Sequence, residues 1–217
     1  MSDTPPASSP SRRHAAGEDP AKRAAILAGA AQVFLESGFD AASVNDICRA
    51  AGVSKSTLYV YFSGKEDLFE ALVEQQRDRL FADLDGRLSE VRPLADRLRD
   101  FACALAAILC SEEVIRAQRT VIGMAERMPD LGARFYDVGA QRTQQALGAF
   151  LQSETAAGRM AVPDVALAAA QFVELTAAGL WRQRLFGKLT APPDSARRDA
   201  VARAGADLFM KAYATEP

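Results

Sequence analysis

Gly52-Val53-Ser54-Lys55-Ser56-Thr57-Leu58-Tyr59-Val60-Tyr61-Phe62-Ser63-Gly64-Lys65-Glu66-Asp67-Leu68 is the stretch whose reading decides the fold. Gly52 offers the left-handed backbone that ends one helix, and Ser54 can cap the next by accepting a bond from an orphan amide. Just upstream, Ser43 is a cap for a helix whose Val44, Ile47 and Ala51 fall on one stripe. Two short helices meeting at a tight corner are therefore expected, which is helix-turn-helix geometry. The second helix, roughly Lys55 to Phe62, is anchored inward by Leu58 and Phe62 and carries Ser54, Lys55, Ser56, Thr57, Tyr59 and Tyr61 as hydrogen-bond donors. Hydroxyls and a lysine at a helix N-terminus suit phosphate oxygens, and a few such side chains can reach base edges in a major groove. The competing reading of the same residues is an ordinary solvated helix.

Outward from this corner, caps and breakers set the organisation. Asp19-Pro20 places a cap and a first-turn proline before a helix expected to run to Ser37 with Gly38 as its stop; its Ile26, Leu27, Ala30, Val33 and Phe34 pack under the helix-turn-helix. Ser63-Gly64-Lys65-Glu66 reads as a capping box opening a long helix to about Val91, with Gly86 as a weak point within it. Further helices are expected at about 94–110, 111–127, 131–157, 164–186 and 195–213, punctuated by Pro129, Gly158, Pro163, Gly187 and Pro192-Pro193. No period-2 alternation competes with them, so the expected class is all-α. The expected division is a disordered arm over 1–18, a three-helix DNA-binding domain over 19–66, and a helical regulatory and dimerisation domain over 67–217.

Composition narrows the function. A chain of 217 residues can bury a substantial core, and 49% of its residues are hydrophobic. Its net charge of -2 provides no global pull toward DNA, so binding must draw on local charge from Arg12, Arg13, Lys22, Arg23, Arg49, Lys55 and Lys65, diluted by Asp40 and Asp46. Cys48, Cys103 and Cys110 form no CxxC pair, and the one histidine, His14, lies in the arm, so neither a metal nor a cofactor is expected. No long apolar run or signal-peptide core is present, and a cytoplasmic protein is expected. The arm is either inert or uses Arg12 and Arg13 in a minor groove. An enzyme is disfavoured: no nucleophile elbow, Gly-rich phosphate loop, catalytic histidine or framed carboxylate pair stands out.

The segment from about Ala21 to Leu72 resembles the N-terminal DNA-binding domain of TetR-type transcriptional repressors. The resemblance is carried by Ala30 and Phe34, Gly38-Phe39, Ser43-Val44 with Ile47, Ala51-Gly52-Val53-Ser54, Thr57-Leu58-Tyr59, Tyr61-Phe62 and Lys65-Glu66-Asp67-Leu68. Tyr61 departs from the histidine more usual in that family, although its hydroxyl can still donate. The block Ala125-Glu126-Arg127-Met128-Pro129-Asp130-Leu131 with Arg134-Phe135-Tyr136, and Ala168-Ala169-Ala170-Gln171-Phe172, is similar to the C-terminal domain of the AefR-like branch.

The resemblance implies a homodimeric, ligand-responsive repressor on a palindromic operator, with an unidentified small-molecule effector. It implies DNA contacts from Ser43, Ser54, Lys55, Ser56, Thr57, Tyr59, Tyr61 and Lys65, the last to a phosphate. A pocket of the family's kind would draw on Phe101, Leu105, Ile108, Ile122, Met124, Phe135, Phe150, Phe172, Leu175 and Trp181, most of which are equally suited to core packing. Arg119, Glu126, Arg134, Tyr136, Gln171 and Glu174 are polar residues of that region able to orient a ligand. A four-helix dimer interface would use Ala166, Ala170, Val173, Ala177, Leu180, Ala200, Ala204 and Leu208, faces that could instead pack within one chain. The alternative reading is a helical protein-interaction module that does not bind DNA.

Overall fold

The computed structural model describes residues 19–81 and 84–215; the arm expected over 1–18 lies outside the described residues. Among the described residues every regular element is a helix, and the chain divides into two compact units between Leu72 and Val73.

In the first unit, α1 (Pro20–Ala41) is capped by the Asp19 carboxylate, which accepts the Ala21 and Lys22 amides at 3.0 and 3.3 Å. Its regular course breaks at Gly38 (φ 76°, ψ 166°), the stop expected there, before the chain reaches α2 (Val44–Ala51). Gly52 (φ 66°, ψ 31°) then closes α2 in the left-handed region, where a side chain would be strained, and Ser54 opens α3 (Lys55–Tyr61) by accepting the Thr57 amide at 3.1 Å. Ile26, Leu27, Ala30, Ile47, Leu58, Phe62 and Leu68 form the buried core under the corner. Burial of this kind, at about 25 cal/mol per Å² of apolar surface, holds helices too short to persist alone. Gly29 lets α1 and α2 touch: a Cβ there would lie 2.7 Å from the Ala51 amide nitrogen.

The chain passes out of this unit along α4 (Lys65–Phe81), and α5 (Leu84–Ser89) follows; residues 82–83 between them lie outside the described residues, so the helix expected from Lys65 to Val91 is described only on either side of them. Leu68 and Phe69 of α4 are buried in the first unit, and Leu84 and Leu88 of α5 in the core of the second. Gly86 stands on α5 with open space where a Cβ would be.

The second unit is completed by α6 (Leu94–Leu109), α7 (Glu112–Met124), α8 (Pro129–Ala156), α9 (Val165–Thr176), α10 (Leu180–Leu185) and α11 (Ser195–Tyr213). Ser111, Asp164 and Asp194 cap α7, α9 and α11 with their side chains. Phe101, Phe172 and Phe209 stack through its core, with centroids 6.0 and 5.0 Å apart. The helix expected over 164–186 is interrupted between α9 and α10, because Gly179 takes φ 74° and ψ -32°, outside the helical region. Gly205 on α11 admits α9: a Cβ there would meet the Leu175 carbonyl oxygen at 2.6 Å.

Two charged groups sit inside this apolar assembly. Glu154 is buried between Arg97, at 3.0 Å, and Arg159; hydrogen bonds from Arg159 first and then Arg97 hold its carboxyl below the usual carboxylate range against the opposing effect of burial. Arg184 of α10 is almost fully buried, donating to the carbonyls of Cys110 at 3.3 Å and Leu189 at 3.0 Å and to the Glu112 carboxylate. These bonds, which a buried guanidinium requires, fix the short α10 against the α6–α7 turn.

Candidate nucleic-acid interface

Helix α3 is built with two unlike sides. Leu58 is fully buried and Phe62 nearly so, which fixes the inner side, whereas Lys55, Ser56, Tyr59 and Val60 face out. Tyr59 is 54% exposed and Val60 51%. Val60 escaped sequence reasoning because an apolar residue in a short helix reads as core; its exposure next to Tyr59 makes it a candidate for contact with a thymine methyl.

The hydroxyls at the start of α3 are tied together. Ser54 Oγ lies 2.8 Å from both Ser56 Oγ and Thr57 Oγ1 while accepting the Thr57 amide, so the cap also presets the orientation of its neighbours. Ser56 is exposed and Thr57 half-buried, which leaves Ser56 the freer of the two to meet a ligand. Lys55 is exposed and has no carboxylate partner among the described residues, so its charge is available to a phosphate or a base edge. Tyr61 is half-buried and packs against the first unit's core.

Ser43 is engaged as the cap of α2, where its hydroxyl accepts the Asp46 amide at 3.2 Å and donates to the Asp46 carboxylate. That bond first, and the Arg49 guanidinium 3.0 Å away second, hold the Asp46 carboxyl below its ordinary value. Arg49 is thereby tethered at the exposed end of α2. Lys65, expected at a phosphate, has a different arrangement: its ammonium donates to the carbonyls of Phe39, Asp40 and Ala42 at 3.1, 3.3 and 3.4 Å and lies 4.6 Å from the Phe39 ring centre.

The apolar residues expected to line a pocket fall into separate places. Phe101, Leu105, Phe150 and Phe172 are buried in the second unit's main core, with Ile108 and Leu175 partly buried against it. Met124 is buried on α7, and Phe135 is half-buried on α8. Trp181 packs against a smaller cluster of Cys110, Ala177 and Leu180 and donates its indole N–H to Gln118 Oε1 at 2.7 Å. Ile122 is corrected: it is 58% exposed, in the last turn of α7. Arg119, expected to orient a ligand, donates instead to the carbonyls of Leu185 and Arg184 at the end of α10, at 2.9 and 2.6 Å.

The expected dimer residues divide by burial. Ala166, Ala200, Ala204 and Leu208 are exposed, Leu208 to 56%; Ala170 and Val173 are half-buried, and Val173 packs on the core. Ala177 and Leu180 are corrected: both are buried within their own chain, where they pack in one cluster with Cys110. Burial pushes the Cys103 and Cys110 thiols up, which suits packing rather than reactivity. No helix of the described residues is long and apolar enough to cross a membrane.

Comparison with known proteins bears on the same surfaces. The family described as bacterial regulatory proteins, tetR family, matches residues 26–72, and the AefR-like transcriptional repressor C-terminal domain matches residues 96–215, more than half of the chain. The structure of the flavonoid-responsive regulator FrrA is 32% identical, with a TM-score of 0.75 over 90% of this chain and 98% of that one. A TetR-family regulator from Mesorhizobium loti MAFF303099 is 27% identical, with a TM-score of 0.80 over 91% of this chain and all of that one. The HTH-type transcriptional repressor ComR of Escherichia coli (strain K12) is 30% identical over 51% of this chain, and the match spans about half (53%) of ComR's length. With α3 presented outward from a capped corner and both halves matched in order, the chain belongs to the TetR family and is a DNA-binding transcriptional regulator with an AefR-like C-terminal domain.

Proposed function

We propose that the protein is a ligand-responsive repressor that acts in the cytoplasm and binds a palindromic operator as a homodimer. The observation that carries the reading is the α3 surface, where exposed Lys55 stands with Ser56 and Tyr59 on a side that Leu58 and Phe62 hold outward. Lys55 and Ser56 supply base-edge and phosphate contacts, Tyr59 a phosphate contact from its hydroxyl, and Val60 an apolar one. A helix this short reads too few base pairs alone, so two copies on half-sites about 34 Å apart, or a longer spacing, provide the specificity.

The dimer face we assign to Ala200, Ala204 and Leu208 on α11 together with Ala166 and Ala170 on α9: the alanines let helices of two chains approach, and exposed Leu208 supplies apolar surface to bury. The effector is a small organic molecule held among the helices of the second unit; the name of FrrA, a flavonoid-responsive relative, makes planar phenolic compounds the first class to screen. Half-buried Phe135 and Trp181 present ring surface suited to such a ligand. Its binding displaces α4, the segment through which the chain enters the second unit, and so changes the separation of the two α3 helices.

The test is selection of duplexes from random sequence by the purified chain, followed by fluorescence anisotropy with Lys55→Ala and Tyr59→Phe. A palindromic consensus is expected, with affinity lower for both variants and sequence preference relaxed for Lys55→Ala alone. A wild-type chain that enriches no duplex would favour a helical interaction module, and unchanged binding in both variants would remove α3 from the interface.

A further inference from the structure

We propose that Lys65 is a positioning residue for DNA binding, acting through backbone carbonyls at the end of α1 rather than through a phosphate. The inference rests on the DNA-binding reading above. The carbonyls of Phe39, Asp40 and Ala42 lie beyond the break at Gly38, where the chain leads from α1 to α2. An ammonium carries three protons and no acceptor, and Lys65 has three carbonyls within 3.4 Å. It therefore holds the turn at residues 39–42, beyond the break in α1, from another helix.

The same face of α4 takes a second hold. Phe69, one turn beyond Lys65, packs edge-on against Phe39 with centroids 5.3 Å apart, and the Lys65 ammonium also lies against that ring, 4.6 Å from its centre. Residues 39–42 are thus gripped by α4 through both charge and aromatic packing. Ala42 precedes Ser43, whose hydroxyl caps α2, and the Gly52 corner fixes α3 on α2 through bonds from the Gly52 and Val53 amides to the Arg49 and Cys48 carbonyls at 3.3 and 3.0 Å. The first turn of α4 consequently sets where α2 begins, and α2 sets the pose of α3. A phosphate that recruited Lys65 would have to draw its ammonium away from all three carbonyls and the ring.

The experiment compares full-length wild type, Lys65→Met and Lys65→Arg on a duplex selected by the wild type, across a salt series, together with amide hydrogen exchange. Methionine keeps the stem and loses the protons; arginine keeps the charge and binds phosphate well, but its planar fork cannot aim three protons at one convergent set of carbonyls. Both variants are expected to bind about tenfold more weakly, with an unchanged slope of log affinity against log salt and faster exchange at the Asp46 and Ile47 amides. Retained affinity in Lys65→Arg, with a slope in Lys65→Met reduced by about 0.9 for each phosphate no longer neutralised, would make Lys65 a phosphate ligand and overturn the proposal. Unchanged affinity in Lys65→Met would reduce it to a stabilising residue and overturn it equally. If Lys65→Met does not fold, Lys65→Arg decides by affinity and exchange. If the wild type selects no duplex, the DNA-binding reading fails by itself, and the Asp46 and Ile47 amides still judge the clamp: unchanged protection in the variants overturns it.

Discussion

Replacing glycine by alanine at two helical positions should move stability in opposite directions. At Gly86 on α5 a Cβ meets nothing within 4 Å, so Gly86→Ala gains the helix preference of alanine, about 1 kcal/mol, without a clash. At Gly205 on α11 the same methyl would lie 2.6 Å from the Leu175 carbonyl oxygen and 2.9 Å from its carbon. Those are backbone atoms of α9, held by the core that buries Phe172, Ala206 and Phe209, and no rotamer change relieves the overlap. Separating the helices costs about 3 kcal/mol, the upper end for overpacking a filled core. Less the same propensity gain of about 1 kcal/mol, the net loss is about 2 kcal/mol, and the two variants differ by about 3 kcal/mol. For a chain of this size that separates their midpoints by about 6–12 °C. Thermal unfolding by circular dichroism on both variants, with amide exchange along α11 to locate the loss, measures it. Midpoints agreeing within about 2 °C would refute the close crossing of α9 and α11, because propensity cancels between the two.

Two further outcomes are expected. Leu208→Glu, on the exposed side of α11, should shift the chain from dimer to monomer in sedimentation while each protomer stays folded, since Leu208 covers no core of its own; a dimer of unchanged stability would move the interface elsewhere. Glu154 is depressed in the folded state, so its contribution to stability is present above the ordinary carboxylate value of 4.5 and lost as the pH falls through the lower folded-state value. Urea titrations of wild type and Glu154→Gln should therefore differ near neutral pH and converge in acid, and a gap that persists at low pH would place the effect of Glu154 outside its charge.

What the sequence alone determined is the set of features whose causes lie within a few residues. Asp19-Pro20, Ser43, Gly52 and Ser54 each act on an amide or a backbone angle next to them, so the beginnings of α1, α2 and α3 and the corner between the last two were legible without tertiary information. Leu58 and Phe62 were legible as anchors for the same reason: their spacing on α3 specifies one side of it. The tertiary structure alone decided which residues distant in sequence share a place. Gly29 and Gly205 look like any helical glycine until another helix passes within a methyl's width. Lys65 reads as a first-turn lysine free for a phosphate until carbonyls from residues 39–42 converge on it, and Arg184, which no local pattern marks, is a core residue only because Cys110, Glu112 and Leu189 satisfy its guanidinium. The assignments of Ala177 and Leu180 to a partner surface went wrong at the same level, since a period along one helix marks an apolar side without saying what covers it. Caps and turns are local bonds written in adjacent residues, whereas packing and the satisfaction of a buried charge are set by partners that the chain brings together only when it folds.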